Sequence, residues 1–324
     1  MRLISVPGVA SGVSCIGLGG RFGESDPAEC EAVLDAYLAL GGNLIDTAHA
    51  YAGGESERFL RCWLAKKNRR KQVILVDKGC HSPAGGARRV NPDCLKNDLA
   101  ESLDRLGTSY IDLYLLHRDD ENVPVGPLLD ALEEEQRAGR IHAAGASNWR
   151  THRLEQAARY AAERGSLGFV VSSSHLSLAV PQEPMWPGVV SLDADGRAWH
   201  RRTGLTLLAW SAQARGWFYG AYTRGERSDS DVHRVYDSLE NRRRLVRAED
   251  LARRRGTTPG RIALVYVLNQ AFPVVGLIGP ERVSELADTL HAAEISLGAD
   301  EVHYLEQGRD EEDCLETTSA VRLP

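Results

Sequence analysis

The chain has 324 residues and a formal net charge of −6, with 43% hydrophobic and 26% charged residues, the composition of an ordinary globular protein. The mild acidity argues against nucleic acid as a partner, no apolar run approaches the roughly 20 residues of a membrane-spanning helix, and Gly and Pro interrupt the N-terminus too often for a signal peptide. We therefore expect a cytoplasmic protein without a nucleic-acid or membrane partner.

Apolar runs of strand length alternate with amphipathic runs of helix length. The predicted strands are residues 13–20, 43–48, 73–79, 111–118, 141–148, 169–178, 205–212 and 274–279. The predicted helices are residues 26–42, 55–70, 91–107, 125–139, 151–165 and 281–293. Asp-Pro or Asn-Pro begins two of these helices and Gly ends several, which are ordinary signals of helix start and stop.

Near-continuous apolar strands separated by helices indicate a parallel sheet covered by helices. Eight such units predict an α/β fold, a (β/α)8 TIM barrel forming a single domain over residues 1–324. We expect an N-terminal β-hairpin before the barrel and extra C-terminal helices after it. Residues 220–234 are predicted to form a long polar loop, functional or mobile, and the acidic tail after residue 308 is predicted to cover the surface.

Ionisable residues end three successive predicted strands. These are Asp46, Lys78 and His117, and Tyr51 follows in the loop after Asp46. Catalytic groups of a parallel barrel lie at the C-terminal ends of its strands. A single buried His or Lys is more often structural than catalytic, but four ionisable groups on one rim favour a catalytic site, because burying them is costly.

These four side chains predict an acid–base relay. A phenol with a pKa of about 10 is a poor acid at neutral pH, but a neighbouring ammonium favours the phenolate and lowers that pKa. Asp46 would hold Lys78 charged beside Tyr51, and His117 would orient a substrate oxygen or share in the proton transfer. We expect Tyr51 to act on a carbonyl or carbinol oxygen, which pairs with hydride transfer to the carbon.

Four segments together resemble the aldo-keto reductases: DTAHAYAGGESE, VDKG, YLLHRDD and GASNW. The resemblance extends from about residue 13 to about residue 290. It implies a barrel that binds an extended nicotinamide dinucleotide, NADPH with NADH less expected, and reduces an aldehyde or ketone. It also implies a catalytic tetrad of Asp46, Tyr51, Lys78 and His117, in which Tyr51 is the general acid.

The resemblance further implies a set of cofactor contacts. They are Gly19, Gly20, Ser147, Asn148, Ser173, Trp210, Ser211, Arg215, Gly279, Arg282 and Glu285. Ser147 and Asn148 would meet the nicotinamide carboxamide, although either also suits a helix N-cap. A glycine turn opening a helix after the last strand is where barrels tend to hold phosphate. Arg282 there would face the adenosine 2′-phosphate, the alternative being a solvated surface arginine.

Several positions depart from the family pattern. Ser173 stands where many relatives have a glutamine beneath the nicotinamide, and Leu176 where an aromatic residue usually stacks on it. SAQA after the seventh strand replaces the usual SPLA, and Thr289 replaces an asparagine on the adenine side. The tetrad is whole, so we expect a divergent branch of the family.

Candidate substrate contacts lie at or after the strand ends. They are Arg21, Phe22, Arg118, Trp149, Trp186 and Trp217, with Tyr51 and Tyr219 beside them. Aromatic walls with a few polar groups suit a small organic molecule, although a loop tryptophan is commonly a packing anchor. Arg118, Asp119, Asp120 and His175 suggest recognition of hydroxyls and hence a sugar-like carbonyl compound, while simple aldehydes and aromatic ketones stay open.

Two other hypotheses stay open. A non-catalytic member of this fold would bind the cofactor and regulate a protein partner, like the channel-associated β subunits, but the intact tetrad speaks against it. A metal-dependent hydrolase or isomerase would use His49, His81 and His117, but no H-x-H or H-E-x-x-H spacing occurs. The six cysteines lack C-x-x-C spacing, so we expect reduced thiols and no metal. The sequence leaves the oligomeric state open.

Overall fold

The computed structural model describes residues 1–24, 26–82, 86, 88–226 and 228–308, so the acidic tail after residue 308 lies outside the described residues. The chain begins with an antiparallel hairpin of β1 (Leu3–Ile4) and β2 (Val13–Ser14). The predicted hairpin is therefore confirmed. The predicted first strand is divided, because the amide of Cys15 still donates to the Arg2 carbonyl in the hairpin and the barrel begins after it.

Eight parallel strands close into a barrel, because the last strand pairs with both the strand before it and the first strand of the barrel. The strands are β3 (Ile16–Gly19), β4 (Leu44–Asp46), β5 (Ile74–Gly79), β6 (Ile111–Leu116), β7 (Ile141–Ser147), β8 (Phe169–His175), β9 (Thr206–Trp210) and β10 (Val274–Ile278). Each predicted strand is present, and the predicted (β/α)8 barrel is confirmed.

Helices connect the strands and pack on one another around the barrel. They are α1 (Pro27–Ala39), α2 (Glu55–Ala65), α3 (Pro92–Leu106), α4 (Val125–Arg137), α5 (Thr151–Glu163), α6 (Ala194–Thr203), α7 (Ser230–Tyr236), α8 (Leu239–Arg255), α9 (Pro259–Leu268), α10 (Val283–Leu290) and α11 (Ala299–Gln307). Short 3₁₀ turns cover Tyr51–Gly54, Lys66–Gln72, Ala214–Tyr219 and His291–Glu294. In the described ranges, no helix combines the length and apolarity needed to cross a membrane.

Side chains with the expected capping chemistry set the helix boundaries. Asp26 and Asn91 accept hydrogen bonds from the first amides of α1 and α3, each followed by proline, as predicted. The predicted loop 220–234 is wrong at its end, because the Asp229 carboxylate accepts from the amides of Asp231 and Val232 and starts α7. The helix α11 follows the barrel, as expected of a C-terminal extension.

The barrel interior is filled by apolar residues that alternate along the strands. Leu44, Val76, Leu115, Val171 and Leu208 belong to one buried cluster. Because successive side chains of a strand point to opposite faces, the residue two positions after each of these also faces inward. Those residues are Asp46, Lys78, His117, Ser173 and Trp210, so the barrel core ends in a polar layer at the C-terminal ends of the strands.

Strained backbone marks the same end of the barrel. Cys80, Asn148 and Ser211 directly follow β5, β7 and β9, and their φ angles are 63°, 60° and 52°. A residue with a side chain in this left-handed region costs on the order of 1–3 kcal/mol and is concentrated at functional sites. The strain and the polar layer coincide at one rim.

Candidate active site

Lys78 is held at the barrel rim by two oxygens. Its Nζ lies 2.6 Å from Asp46 Oδ1 and 2.8 Å from the Thr47 carbonyl, and both charged side chains are buried. Burial alone would lower the pKa of Lys78, but the attractions of Asp46 and Tyr51 together outweigh it and raise that pKa. Lys78 is therefore an ammonium at neutral pH, in a fixed position.

Tyr51 lies next to this ammonium. The Lys78 Nζ is 5.0 Å from the centroid of the Tyr51 ring. The Tyr51 amide donates to the Ala48 carbonyl and begins the 3₁₀ turn, in which Ala52 and Gly53 both have positive φ. This compact turn places a half-buried phenol beside Lys78 at the end of β5.

His117 completes the group predicted from the sequence. Its ring meets the Tyr51 ring edge-on, with centroids 5.6 Å apart, and its amide donates to the Gly79 carbonyl of β5. Burial, and then the charges of Lys78 and Arg118, hold its pKa well below the ordinary value of 6.5. The imidazole is thus neutral at neutral pH and offers one N–H donor and one acceptor.

Four buried polar atoms of the inward-facing layer have no hydrogen-bond partner among the described residues. They are Asp46 Oδ2, His117 Nδ1, Ser173 Oγ and Trp210 Nε1. Buried polar atoms are normally hydrogen-bonded, so unpartnered atoms gathered at one rim are suited to bonding a water or a ligand. They lie at or next to the C-terminal ends of β4, β6, β8 and β9, where a polar ligand in the barrel mouth could bond to them.

His81 is part of this group, although the sequence placed it only in the metal hypothesis. Its ring lies 4.8 Å from that of His117, edge-on. Burial and the charge of Arg118 lower its pKa, so it too is a neutral donor and acceptor. The feature of the sequence that indicates this position is that His81 follows Lys78 by three residues, just past the end of β5.

The hypothesis of a metal site is not supported by the arrangement of the described side chains. No group of three or more His, Cys, Asp or Glu side chains there has an arrangement that holds a metal ion. His49 is instead bonded to Glu101 at 2.9 Å. The acid–base arrangement around Tyr51 is the chemistry that this rim offers.

Ser147 and Asn148, which the sequence predicts to contact the nicotinamide carboxamide, bond mainly to each other and to the backbone. Asn148 donates from Nδ2 to Ser147 Oγ at 2.9 Å and to the His117 carbonyl at 3.4 Å. Its Oδ1 accepts from the Val190 amide at 3.1 Å. Both side chains lie at the rim beside Ser173. The side-chain carboxamide of Asn148 is already hydrogen-bonded through both of its polar atoms, and its Oδ1 bonds the backbone at Val190.

The glycines at the ends of β3 and β10 leave open space. A Cβ on Gly20 would meet no atom within 4 Å, and one on Gly279 would meet only the Gly19 carbonyl, at 3.2 Å. Beyond them, Arg282 precedes α10 with its side chain exposed, and Glu285 accepts from the Glu281 amide at 3.0 Å. These residues border open space at one side of the barrel mouth.

The segment after β9 forms a second side of the mouth. Ser211, Ala214 and Arg215 all have positive φ. The Arg215 guanidinium pairs with Asp229 at 3.0 Å and lies 5.8 Å from the ring of Trp186. The turn after β9 is thereby tied to the start of α7.

The predicted substrate contacts separate into two groups. Trp186 is partly exposed, and its ring lies 5.9 Å from that of Trp210. Trp217 has no exposed surface and stacks on Tyr222, so it packs the loop rather than facing the mouth. Leu176 is also buried in the main core, whereas Trp186 and Trp210 supply neighbouring aromatic side chains at this part of the rim.

The remaining predicted substrate contacts are Trp149, Phe22 and Arg21, which differ in burial. Trp149 is buried and donates from Nε1 to the Arg118 carbonyl at 3.1 Å. Phe22 is buried with its amide on Ser56 Oγ. Arg21 is exposed and pairs with Glu24 at 3.2 Å. Of these three side chains, Trp149 is the one that bonds to the backbone next to His117, at Arg118.

Most of the predicted hydroxyl-binding groups are already bonded. Asp119 pairs with Arg153, and Asp120 with Arg88. His175 Nε2 lies 3.0 Å from the Tyr236 hydroxyl and 3.3 Å from Ser177 Oγ. Arg118 makes only a hydrogen bond from Nη1 to the His117 carbonyl, at 2.9 Å, within the described part of the chain. A sugar-like substrate therefore has few free partners at this rim.

Comparison with known proteins places this geometry in context. A sequence model of the Aldo/keto reductase family matches residues 15–310. Norsolorinic acid reductase B of Aspergillus parasiticus is 28% identical over 301 residues, covering 89% of this chain and 76% of that protein. An NADP(+) aldo-keto reductase of Schizosaccharomyces pombe, yakc, is 26% identical over 312 residues, covering 93% of this chain and 88% of that protein.

A solved structure has the same architecture. An aldo-keto reductase from Klebsiella pneumoniae, crystallised in complex with NADPH, aligns with a TM-score of 0.71 over 94% of this chain and 95% of its own. The sequence identity is 23%, so the alignment establishes the shared fold alone.

Proposed function

The chain belongs to the aldo/keto reductase family, and on that basis we propose that it reduces an aldehyde or ketone with NADPH, using Tyr51 to protonate the carbonyl oxygen. The family supports the coarser statement, an NAD(P)H-dependent oxidoreductase acting on carbonyl compounds. The role of each side chain and the preference for NADPH are our proposal, argued from the contacts at the rim.

The observation that carries this proposal is the position of Lys78 between Asp46 and Tyr51. A phenol that gives up a proton becomes a phenolate, and the ammonium 5.0 Å from the ring centroid stabilises that negative charge. Asp46 keeps the ammonium in place at 2.6 Å. The arrangement makes proton transfer from Tyr51 to a substrate oxygen favourable without any movement of the relay.

His117 has a different task in this scheme. Because its pKa is held well below the ordinary value, it does not supply the proton at neutral pH. A neutral imidazole whose ring adjoins Tyr51 can donate its N–H to the carbonyl oxygen and hold that oxygen near the phenol. We assign His117 to orientation of the substrate and Tyr51 to acid catalysis.

The residues at the rim fit a nicotinamide dinucleotide. When bound, the dihydronicotinamide supplies the hydride that reduces the carbonyl carbon. The orphaned Ser173 Oγ and Trp210 Nε1 are donors suited to the carboxamide end, with Ser147 and Asn148 beside them. The open backbone at Gly20 and Gly279 leaves room for a chain of phosphates.

Contacts further out complete the assignment of the cofactor. We assign Gly19, Ser211 and Arg215 to the phosphate region, because they border the two sides of the mouth. Arg282 and Glu285 at the start of α10 are assigned to the adenosine end. The exposed guanidinium of Arg282 suits a 2′-phosphate, which favours NADPH over NADH.

The walls of the mouth favour a flat, partly apolar substrate. Trp186 and Trp210 provide adjacent aromatic faces, while Asp119, Asp120 and His175 are bonded elsewhere. An aromatic or other planar carbonyl compound therefore suits this site better than a polyhydroxylated one. Phe22, Trp149 and Arg21 are assigned to the opposite side, and Trp217 to packing.

The experiment is a fluorescence titration with NADPH and with NADH, followed by absorbance assays with a panel of aromatic and aliphatic carbonyl compounds. Our proposal predicts tighter binding of NADPH and turnover of aromatic aldehydes. Tight cofactor binding without turnover of any carbonyl compound would contradict it and would favour a regulatory module. The metal chelator EDTA is expected to leave turnover unchanged.

A further inference from the structure

Arg118 is a positively charged side chain beside the tetrad, and it has no acidic partner among the described residues. No carboxylate oxygen of the described residues lies within 4.0 Å of its guanidinium, whose bond is to the His117 carbonyl. Five other cations near the strand ends differ, since each of them pairs with a carboxylate. These pairs are Lys78–Asp46, Arg21–Glu24, Arg88–Asp120, Arg153–Asp119 and Arg215–Asp229.

Contacts on two sides hold Arg118 in its position. Its carbonyl accepts from Trp149 Nε1 at 3.1 Å, and its stem lies against the loop after β8, where a Cβ on Gly188 would be 3.6 Å from Arg118 Cδ. The residue directly follows His117, whose ring touches that of Tyr51. The guanidinium is thereby kept at the edge of the proposed reaction site.

The surroundings of this guanidinium leave its charge uncompensated. The groups that its charge reaches are the phenol of Tyr51 and the neutral rings of His81 and His117. Burial lowers the pKa of Arg118 more than Tyr51 restores it. A partly buried charge without a counter-ion is unfavourable, and an anion entering the mouth would remove that penalty.

We propose that Arg118 binds a carboxylate carried by the substrate, so that this reductase prefers carbonyl compounds bearing an acid group over their uncharged analogues. This inference rests on the proposed function and names the substrate class of the same site. A single guanidinium matches one carboxylate through two parallel hydrogen bonds. His81, neutral and next to His117, is placed to donate a further hydrogen bond to the same group.

The test compares 4-carboxybenzaldehyde with its methyl ester, methyl 4-formylbenzoate, which has the same ring and aldehyde without the charge. We expect kcat/KM for the acid to exceed that for the ester by about tenfold or more, mainly through a lower KM. In Arg118→Met, the acid-to-ester ratio is expected to fall to about one, and Arg118→Lys to keep part of it. Arg150→Met, a nearby exposed arginine paired with Glu121, is the matched control with an unchanged ratio.

A second measurement applies to the wild-type protein and does not depend on the folding of a variant. Benzoate is expected to inhibit reduction of the ester competitively, and benzamide about tenfold more weakly. Equal ratios in wild-type protein and Arg118→Met, or equal inhibition by benzoate and benzamide, would overturn the inference. Failure to reduce either aldehyde would instead overturn the proposed function, so the two failures are distinguishable.

Discussion

The ammonium of Lys78 lies 2.6 Å from Oδ1 of Asp46, and both side chains are buried at the barrel mouth. A buried pair of this kind is costly to break from one side, because the remaining charge is left without a partner. It is less costly to remove as a whole. The catalytic need for the ammonium and the stability of the pair can therefore be separated by mutation.

We predict that Lys78→Met abolishes most carbonyl reduction and destabilises the fold by about 3–5 kcal/mol, because the Asp46 carboxylate is left buried and unpaired. The double variant Asp46→Asn, Lys78→Met is expected to regain most of the stability and none of the activity. Urea unfolding and turnover assays on the three proteins measure this. Activity in the double variant close to that of the wild type would contradict the role of the ammonium.

The cofactor preference is tested at the start of α10. Arg282→Ala is expected to weaken NADPH binding about tenfold through loss of a charge-assisted contact, with NADH binding changed by less than about twofold, because NADH lacks the 2′-phosphate. Fluorescence titration measures both affinities. Arg201→Ala, on the exposed face of α6, is the matched control. Equal losses for the two cofactors would show that Arg282 does not contact the 2′-phosphate.

The protein is expected to lose stability in mild acid because of His175. Burial lowers the pKa of His175 to about 4, whereas a histidine in the unfolded chain titrates near 6.5. As pH falls, the unfolded state therefore binds the proton first. The stabilisation is complete above about pH 6.5 and is lost between that value and about pH 4.

Urea unfolding at pH 7 and pH 5 tests this expectation. The free energy of unfolding of the wild-type protein is expected to fall by roughly 2 kcal/mol more than that of His175→Asn over this interval. The variant is less stable at pH 7, because it loses the bonds to Tyr236 and Ser177. His303→Asn, an exposed site on α11, should follow the wild type. Parallel losses in all three proteins would exclude His175 as the source.

The sequence predicted the barrel because its signals are local. Alternating apolar runs gave the strands, and capping residues such as Asn91 and Asp26 gave the helix starts. The polar strand ends could also be predicted, because a charged residue that ends an apolar run, such as Lys78, can be recognised in the amino-acid sequence. The same capping logic would have found α7 at Asp229, where the polar composition suggested a loop.

Contacts between distant segments could not be predicted in this way. Whether Trp217 packs or lines the mouth depends on Tyr222 and α8, and whether Asp119 is free depends on Arg153, 34 positions later. The uncompensated charge of Arg118 is likewise defined by what does not approach it in three dimensions. Such features follow from tertiary packing and appear only in the structure.

The central claim is that Tyr51 supplies the proton, and one measurement tests it most directly. Single-turnover reduction of 4-carboxybenzaldehyde by NADPH is compared in the wild-type protein and in Tyr51→Phe. Tyr110→Phe serves as the control, since this tyrosine stacks on His142 at the opposite end of β6. Our account predicts a rate about a thousandfold lower in Tyr51→Phe, with the NADPH affinity preserved. A rate within about threefold of the wild type would contradict it.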